Sequence, residues 1–216
     1  MIPVHERPLI WHIVQYLSGF KTISEVVIVA DIAGIGGQIR HYFDGAKGIR
    51  FVQDSTSGTA GDLTHLQNIV GSEPFVLWFV DNLGAVDIEG MHRHFAAKKS
   101  LACIATRQHR KEETGFAKVR DGMVLEFIEK PLVKMPNCEC TGIYILSPKV
   151  IKIIKEKSKK KKEINLSYDI LQGLSSQGLV SSFDIGRTDW LDVESPTILE
   201  RKKDVVKKIV AQMAQS

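Results

Sequence analysis

The chain has 216 residues, 44% hydrophobic and 25% charged, which excludes intrinsic disorder and predicts one domain over residues 1–216. It has no apolar run long enough to cross a bilayer and no basic-then-apolar secretory signal, so we expect a cytoplasmic protein without a membrane partner. Much of its net charge of +4 comes from a lysine-rich segment at 155–162 that lacks interleaved aromatic residues, so a nucleic-acid partner is not expected.

The first quarter of the chain alternates helix and strand patterns. Pro8 suits the first turn of a helix, and the apolar runs at 25–30 and 48–53 predict two strands. The glycine-rich segment 33–39 between them resembles a dinucleotide fingerprint. Its last position is Ile39, where close helix–strand packing requires glycine, so we interpret the segment as a turn into a helix.

A small-residue loop at 57–62 precedes the apolar run 75–80, which ends at Asp81. Six consecutive apolar residues predict a strand that is buried on both faces, as in α/β sheets. Ligands of such sheets bind outside the carboxyl ends of the strands, where Asp81 would lie. A turn-forming aspartate is an equally good interpretation of this residue taken alone.

The remainder of the chain continues the alternation and adds a hairpin. Patterns predict a helix at 88–99, a strand at 101–106, a hairpin at 115–128, a strand at 141–146, helices from Pro148 and at 167–174, and an amphipathic helix from Pro196. Alternating strands and helices with a later hairpin predict an α/β fold with a mixed, mainly parallel sheet that is covered on both faces.

The cysteines and histidines give no metal-binding pattern. The three cysteines form no disulfide framework, and Cys138 and Cys140 lack the second ligand pair that zinc requires. His92 and His94 have no ligand partners at a suitable spacing, so we expect packing or surface roles for them.

Seven short motifs occur in the order found in the sugar-phosphate nucleotidyltransferase family, which the chain resembles over nearly its whole length. This family includes mannose-1-phosphate guanylyltransferases and glucose-1-phosphate thymidylyltransferases. The motifs are Pro3-Val4 through Pro8-Leu9-Ile10, Gly58-Thr59-Ala60-Gly61, the strand ending at Asp81, Gly115, Glu129-Lys130-Pro131, Thr141-Gly142-Ile143-Tyr144 and Trp190-Leu191-Asp192.

The resemblance implies a Rossmann-like three-layer α/β/α fold in a single nucleotidyltransferase-like domain. It also implies that a nucleoside triphosphate and a sugar 1-phosphate are joined into a nucleotide sugar with release of pyrophosphate. Asp81 and Asp192 would be the ligands of Mg²⁺, a cation that prefers a few carboxylates together with water and phosphate oxygens. Asp81 would thereby also be catalytic.

The resemblance assigns the other motifs to the substrates. Lys130 would be catalytic by neutralising the sugar phosphate, and Glu129 would accept hydrogen bonds from sugar hydroxyls. Gly115 would allow the backbone to approach the ligand, and Gly58, Thr59, Ala60 and Gly61 would pass under the base. Thr141 and Gly142 complete the substrate-binding set implied by the family.

The family's first strand and its glycine-rich loop, which cradles the triphosphate, would precede Met1. We therefore expect little transferase activity from the chain as written and an open edge in the sheet. Three explanations remain open: a misassigned or truncated start of an ordinary enzyme, a non-catalytic subunit that binds nucleotide or sugar phosphate, and a second copy or partner subunit that completes the sheet. Val80 and Glu194-Ser195 also depart from the family pattern, which has Gly before the first aspartate and Gly-Thr after the second.

Overall fold

The computed structural model describes residues 1–215. Its N-terminal elements are β1 (Pro3–Val4), β2 (Arg7–Pro8), α1 (Leu9–Gly19), β3 (Val26–Ala30), α2 (Gly37–Tyr42), β4 (Ile49–Gln53), α3 (Gly58–Gly61), a 3₁₀ turn (Asp62–Leu66) and α4 (Gln67–Val70). The central elements are β5 (Phe75–Trp78), β6 (Asn82–Gly84), α5 (Ile88–Lys98), β7 (Ala102–Lys111), β8 (Phe116–Arg120), β9 (Met123–Ile128) and β10 (Leu132–Leu146). The C-terminal elements are α6 (Lys149–Ser158), a π-helical turn (Leu166–Leu171), α7 (Gln172–Ser175), β11 (Val180–Asp184), β12 (Trp190–Asp192), α8 (Pro196–Arg201) and α9 (Lys203–Met213).

The main sheet has four strands in the order β11-β7-β10-β5. β11 is parallel to β7, and β10 is antiparallel to both β7 and β5. The sheet is therefore mixed, with three strands running in one direction and β10 in the other. This confirms the predicted α/β class with a mixed sheet.

Alternation along β10 explains why the sheet is covered on both faces. Ile143 and Ile145 belong to one buried apolar cluster, whereas Tyr144 and Leu146 belong to another. Successive side chains of a strand point to opposite faces, so the two clusters lie on opposite sides of the sheet. The first cluster includes residues of α1, α5 and α9, and the second includes residues of α6 and the π-helical turn.

β3 and β4 form a separate parallel pair that is not hydrogen-bonded to the main sheet within residues 1–215. Val27 and Val29 of β3 nevertheless pack against the same apolar cluster as Phe75 and Leu77 of β5. Within the described chain, β5 is an edge strand of the main sheet, and β3 is hydrogen-bonded only to β4.

Several elements differ from the predictions. β7 and β10 extend well beyond the strands expected at 101–106 and 141–146. The apolar run 75–80 ends as a strand at Trp78, because Phe79 to Asp81 turn the chain into β6, and Val80 is 51% exposed. β11 was not predicted, since its sequence Val-Ser-Ser-Phe-Asp has little apolar alternation. The single helix expected at the C-terminus is divided at Lys202 into α8 and α9. No helix within residues 1–215 combines the length and the apolar character needed to span a membrane.

A buried histidine in α1 predicts a pH-dependent stability. Nε2 of His12 donates to the carbonyl oxygen of Val4 at 2.9 Å. Burial lowers the pKa of His12, the Val4 hydrogen bond opposes this effect, and the charge of His5 adds to it. Below the ordinary pKa of 6.5 the unfolded chain therefore binds more protons than the folded chain at this residue.

We expect the free energy of unfolding to fall as the pH drops below 6.5, because His12 is protonated more readily in the unfolded chain. Urea denaturation between pH 7 and pH 5.5 should show a smaller loss for His12→Gln, which keeps a donor near Val4 but does not titrate. Equal losses in both proteins would contradict the assignment.

Candidate functional site

The short antiparallel pair of β6 and β12 brings Asp81 close to Asp192. More than a hundred residues separate these two aspartates in the sequence. In this pair Asn82 is opposite Asp192, and Gly84 is opposite Trp190. The backbone N–H of Val193 donates to the carbonyl oxygen of Asp81 at 2.6 Å. The backbones of Asp81 and Asp192 are therefore close together, and the charge of Asp81 acts on the carboxyl of Asp192.

Asn82 holds the turn that presents Asp81. Its Nδ2 donates to Oδ1 of Asp81 at 2.5 Å and to the carbonyl oxygen of Phe79 at 3.3 Å. Trp78 Nε1 donates to the carbonyl oxygen of Asn82 at 2.7 Å. Asp81 itself is exposed, whereas Asn82 is buried, so a buried amide orients an accessible carboxylate.

The electrostatics of the pair favour a cation. Burial and the neighbouring charges of Asp81, Glu194 and Glu139 raise the pKa of Asp192. Its Oδ1 is buried and has no hydrogen-bond partner within the described chain. A buried carboxylate oxygen without a donor is costly, and a bound cation would remove that cost.

The two carboxylates fit the requirements of magnesium better than those of zinc. Mg²⁺ is commonly held by one or two carboxylates and completes its shell with water and substrate phosphate oxygens. No group of three or more histidine, cysteine or acidic side chains within residues 1–215 is arranged to hold a metal. Asp81 and Asp192 would therefore hold the ion together with ligands from outside the chain.

Arg107 of β7 and Glu139 of β10 support the site but were missed by the sequence analysis. Arg107 Nε donates to Oε2 of Glu139 at 2.6 Å, and its guanidinium lies 4.4 Å from the ring centre of Trp190. Trp190 Nε1 in turn donates to the carbonyl oxygen of Thr141 at 2.9 Å. Both residues belong to a polar stretch of their strand, and nothing in their spacing indicates the pairing.

The predicted substrate-binding loop is a helical turn that is fastened to the segment after α6. The N–H of Ala60 donates to the carbonyl oxygen of Ile164 at 2.9 Å, and the N–H of Leu166 donates to the hydroxyl of Thr59 at 2.9 Å. Gly58 has a φ of 85°, and a Cβ there would lie 2.7 Å from the carbonyl oxygen of Ile164. Close packing thus explains the glycine, and contact of Gly58 to Gly61 with a base remains a prediction.

Thr141 and Gly142 lie within β10 of the main sheet, where the register with β7 shifts between Cys140 and Tyr144. Thr141 is fully buried, and its hydroxyl donates to the carbonyl oxygen of Ala105 at 2.9 Å. Gly142 has a φ of 74° and contacts Asn82 so closely that a Cβ would lie 2.7 Å from the Asn82 Cγ. The structure gives both residues a packing role next to Asp81, and their predicted contact with substrate is not tested by it.

Gly115, Glu129 and Lys130 lie together at the base of the β8–β9 hairpin. A Cβ on Gly115 would lie 2.8 Å from Oε2 of Glu129. Lys130 has a left-handed φ of 49°, and its N–H donates to the carbonyl oxygen of Thr114 at 3.3 Å. Its side chain is exposed and makes no hydrogen bond or ion pair within the described chain.

Comparisons with known proteins concern the family and the fold of the chain. The family model described as nucleotidyl transferase matches residues 1–206. The chain is 25% identical over 95% of its length to the low-salt glycan biosynthesis nucleotidyltransferase Agl11 of Haloferax volcanii, and covers 59% of that protein. It is 24% identical over 64% of its length to mannose-1-phosphate guanyltransferase beta-A of Xenopus laevis, and covers 38% of that protein.

A solved structure supports the fold. It is described as a glucose-1-phosphate thymidylyltransferase from Bacillus anthracis in complex with sucrose. The match has a TM-score of 0.71 at 24% identity and covers 96% of this chain and 85% of that one. At this identity the likeness concerns the fold alone.

Proposed function

The chain belongs to the nucleotidyl transferase family, and we propose that it joins a sugar 1-phosphate to a nucleoside triphosphate, giving a nucleotide sugar and pyrophosphate. The observation that carries the proposal is the convergence of Asp81 and Asp192 at the β6–β12 pair, with a buried oxygen of Asp192 lacking a partner within residues 1–215. Both relatives named above are sugar or glycan nucleotidyltransferases by description, which supports the substrate class.

Each residue of the proposed mechanism has a defined task. Asp81 and Asp192 would hold Mg²⁺, which would supply positive charge to the phosphates of the substrates. Asn82 keeps Asp81 in position through its 2.5 Å hydrogen bond. Lys130 neutralises the phosphate of the sugar 1-phosphate, and Glu129 accepts hydrogen bonds from the sugar hydroxyls.

The proposal includes the cellular location and the substrates. A cytoplasmic location is supported by the cysteines, none of which forms a disulfide in the described chain. Guanylyl or thymidylyl transfer to a hexose 1-phosphate is the specificity that we would test first, because the Gly-Thr-Ala-Gly motif at 58–61 favours these two and a mannose-1-phosphate guanyltransferase is among the relatives.

Binding without turnover is the second candidate function. The carboxylate pair is surrounded by further acidic residues, Glu139 and Glu194, which contribute to the raised pKa of Asp192. No lysine or arginine within residues 1–215 forms an ion pair with Asp81 or Asp192. This charge distribution attracts a cation but does not by itself neutralise a triphosphate.

Two measurements on the purified protein distinguish these functions. Pyrophosphate release from GTP or dTTP with mannose or glucose 1-phosphate and Mg²⁺, lost in Asp81→Asn, would establish the transferase. Calorimetric binding of GDP-mannose or dTDP-glucose that requires Mg²⁺, without turnover, would establish the binding module. If the protein shows neither turnover nor Mg²⁺-dependent binding of any of these ligands, both candidate functions are excluded.

Lys130 provides a residue-level prediction. Lys130→Ala should weaken binding of the sugar phosphate by about 10-fold to 100-fold, because a charge-assisted hydrogen bond contributes roughly 1.5–3 kcal/mol. The melting temperature of this variant should equal that of the wild type, since the side chain has no partner within the described chain.

Lys134 is an exposed lysine on β10. The variant Lys134→Ala is therefore the matched control and should bind the ligand as the wild type does. Calorimetry with sugar 1-phosphate and with nucleotide sugar measures the effect. Equal losses in the two variants would indicate a general charge effect rather than contact of Lys130 with the phosphate.

A further inference from the structure

The segment around the end of α6 concentrates the net positive charge of the chain. Between residues 149 and 163 there are eight lysines and two glutamates, a net charge of +6, whereas the whole chain has a net charge of +4. The rest of the chain is therefore slightly acidic. Such an asymmetry of charge is typical of proteins that meet an anionic surface with one side.

The fold explains why these lysines face solvent. Val150 and Ile154 of α6 are buried in the apolar cluster that also contains residues of the π-helical turn, so one face of α6 is fixed to the core. Every residue from 155 to 163 is exposed, and the chain returns to the core at Ile164. We call the six lysines of this exposed segment the basic patch: Lys155, Lys157, Lys159, Lys160, Lys161 and Lys162.

Only part of the basic patch is neutralised by acidic side chains of the chain itself. Lys159 forms an ion pair with Glu156 at 2.8 Å, and Lys161 forms one with Asp169 at 2.7 Å. The other four lysines of the patch form no ion pair within residues 1–215. Exposed ion pairs contribute little to folding, and like charges placed close together repel one another. An anionic partner would remove this repulsion.

One exposed aromatic residue adjoins the basic patch. Tyr168, in the π-helical turn, is 72% exposed. The ion pair between Lys161 and Asp169 joins this turn to the patch, and the N–H of Tyr168 donates to Oδ1 of Asn165 at 3.0 Å. Tyrosine and lysine together are typical of the membrane–water interface, where the ring lies among the headgroups and the ammonium groups meet phosphates.

We propose that the basic patch and Tyr168 dock the protein on the surface of an anionic phospholipid bilayer. The charges are complementary, and each lysine near such a surface strengthens binding by about 5-fold. The expectation of no membrane partner concerned segments that cross a bilayer, and a contact at the surface needs none.

A nucleic-acid strand fits the basic patch less well than a bilayer does. Proteins that bind single strands stack successive bases on several aromatic side chains. Tyr168 is the only aromatic residue between 149 and 171. The buried face of α6 is also occupied by the core, so this helix cannot present all its sides to a groove.

Co-sedimentation with lipid vesicles tests the proposal on the whole chain. The wild type should bind vesicles of phosphatidylglycerol mixed with phosphatidylcholine, should ignore vesicles of phosphatidylcholine alone, and should be released by salt. The patch variant, with Lys157→Gln, Lys160→Gln and Lys162→Gln, should bind the anionic vesicles about 100-fold more weakly. Thermal unfolding should show that it is folded, since these three side chains form no ion pair within the described chain.

A control variant removes the same charge elsewhere, by Lys21→Gln, Lys98→Gln and Lys207→Gln. All three lysines are exposed, and the buried residues of α1, α5 and α9 belong to the apolar cluster on the other side of the sheet. This variant should bind the vesicles within about 2-fold of wild type, because charges more than about 10 Å from the surface are largely screened.

Tyr168→Ser separates a bilayer from other polyanions. It should weaken vesicle binding by about 3-fold and leave binding to heparin unchanged, because only the bilayer accommodates the ring. A wild type that does not bind anionic vesicles overturns the proposal, as does equal binding by the patch and control variants. Displacement from the vesicles by oligothymidylate at the same phosphate concentration would overturn it in favour of a nucleic-acid partner.

Discussion

Gly142→Ala is expected to lower the free energy of unfolding by about 2–5 kcal/mol, of which backbone strain at positive φ supplies about 1–3 kcal/mol and overpacking a similar amount. Gly142 has a φ of 74°, and an added Cβ would lie 2.7 Å from Cγ of Asn82. Asn82 cannot move away cheaply, because it is buried and donates to both Phe79 and Asp81. The melting temperature should fall by about 5–15 °C.

Gly178→Ala is the matched control for this prediction. Gly178 has a similar φ of 70°, but an added Cβ there would meet no atom of the described chain within 4 Å beyond its own neighbours, so only the backbone strain applies. We expect a loss of about 1 kcal/mol there. Equal losses in the two variants would show that contact with Asn82 is not what makes Gly142 necessary.

Asp192→Asn is expected to stabilise the metal-free protein and to abolish its stabilisation by Mg²⁺. The pKa of Asp192 is raised in the fold by burial and by the charges of Asp81, Glu194 and Glu139. The contribution of this carboxyl to the free energy of unfolding is therefore fully present below its unfolded pKa of 3.8. It is lost as the pH rises through the higher pKa of the folded state, because the carboxyl then ionises where its charge is unfavourable. At neutral pH the charged side chain destabilises the fold, and the amide removes that cost.

Thermal unfolding at pH 7 measures both effects. Wild type should gain stability with Mg²⁺ as expected when a ligand binds only the folded state, whereas Asp192→Asn should melt higher without metal and should not respond to it. Glu194→Gln is the control, since it removes a neighbouring charge but no proposed ligand, and its response to Mg²⁺ should persist. A metal response that survives in Asp192→Asn would exclude Asp192 as a ligand.

Local patterns predicted much of the fold because they depend on residues close in sequence. The β-branched run before Ala30, the turn Asp121-Gly122 and the apolar stripe of α1 each determine an element by local geometry alone. The predictions failed where the structure of a segment depends on contacts with residues that are distant in the sequence. β11 is a strand because it pairs with β7, although its own sequence has weak strand character.

In the candidate site, too, the sequence predicted individual residues but not the pairing of distant strands. Asp81 and Asp192 were identified by resemblance, whereas their adjacency depends on β6 pairing with β12, which no local pattern indicates. Arg107 and Glu139 were not anticipated, because their ion pair depends on the register between β7 and β10. Gly142 was predicted to contact the substrate, and the structure shows a packing reason for this glycine in its close contact with Asn82.

We propose that Asp81 and Asp192 form one divalent-cation site. Titration of the metal-free protein with Mn²⁺, followed by the electron paramagnetic resonance signal of the free ion, tests it directly. We predict one tight site that Mg²⁺ displaces, lost in Asp81→Asn and in Asp192→Asn alike, with no further loss when both are changed. Undiminished Mn²⁺ binding in either single variant would contradict the claim.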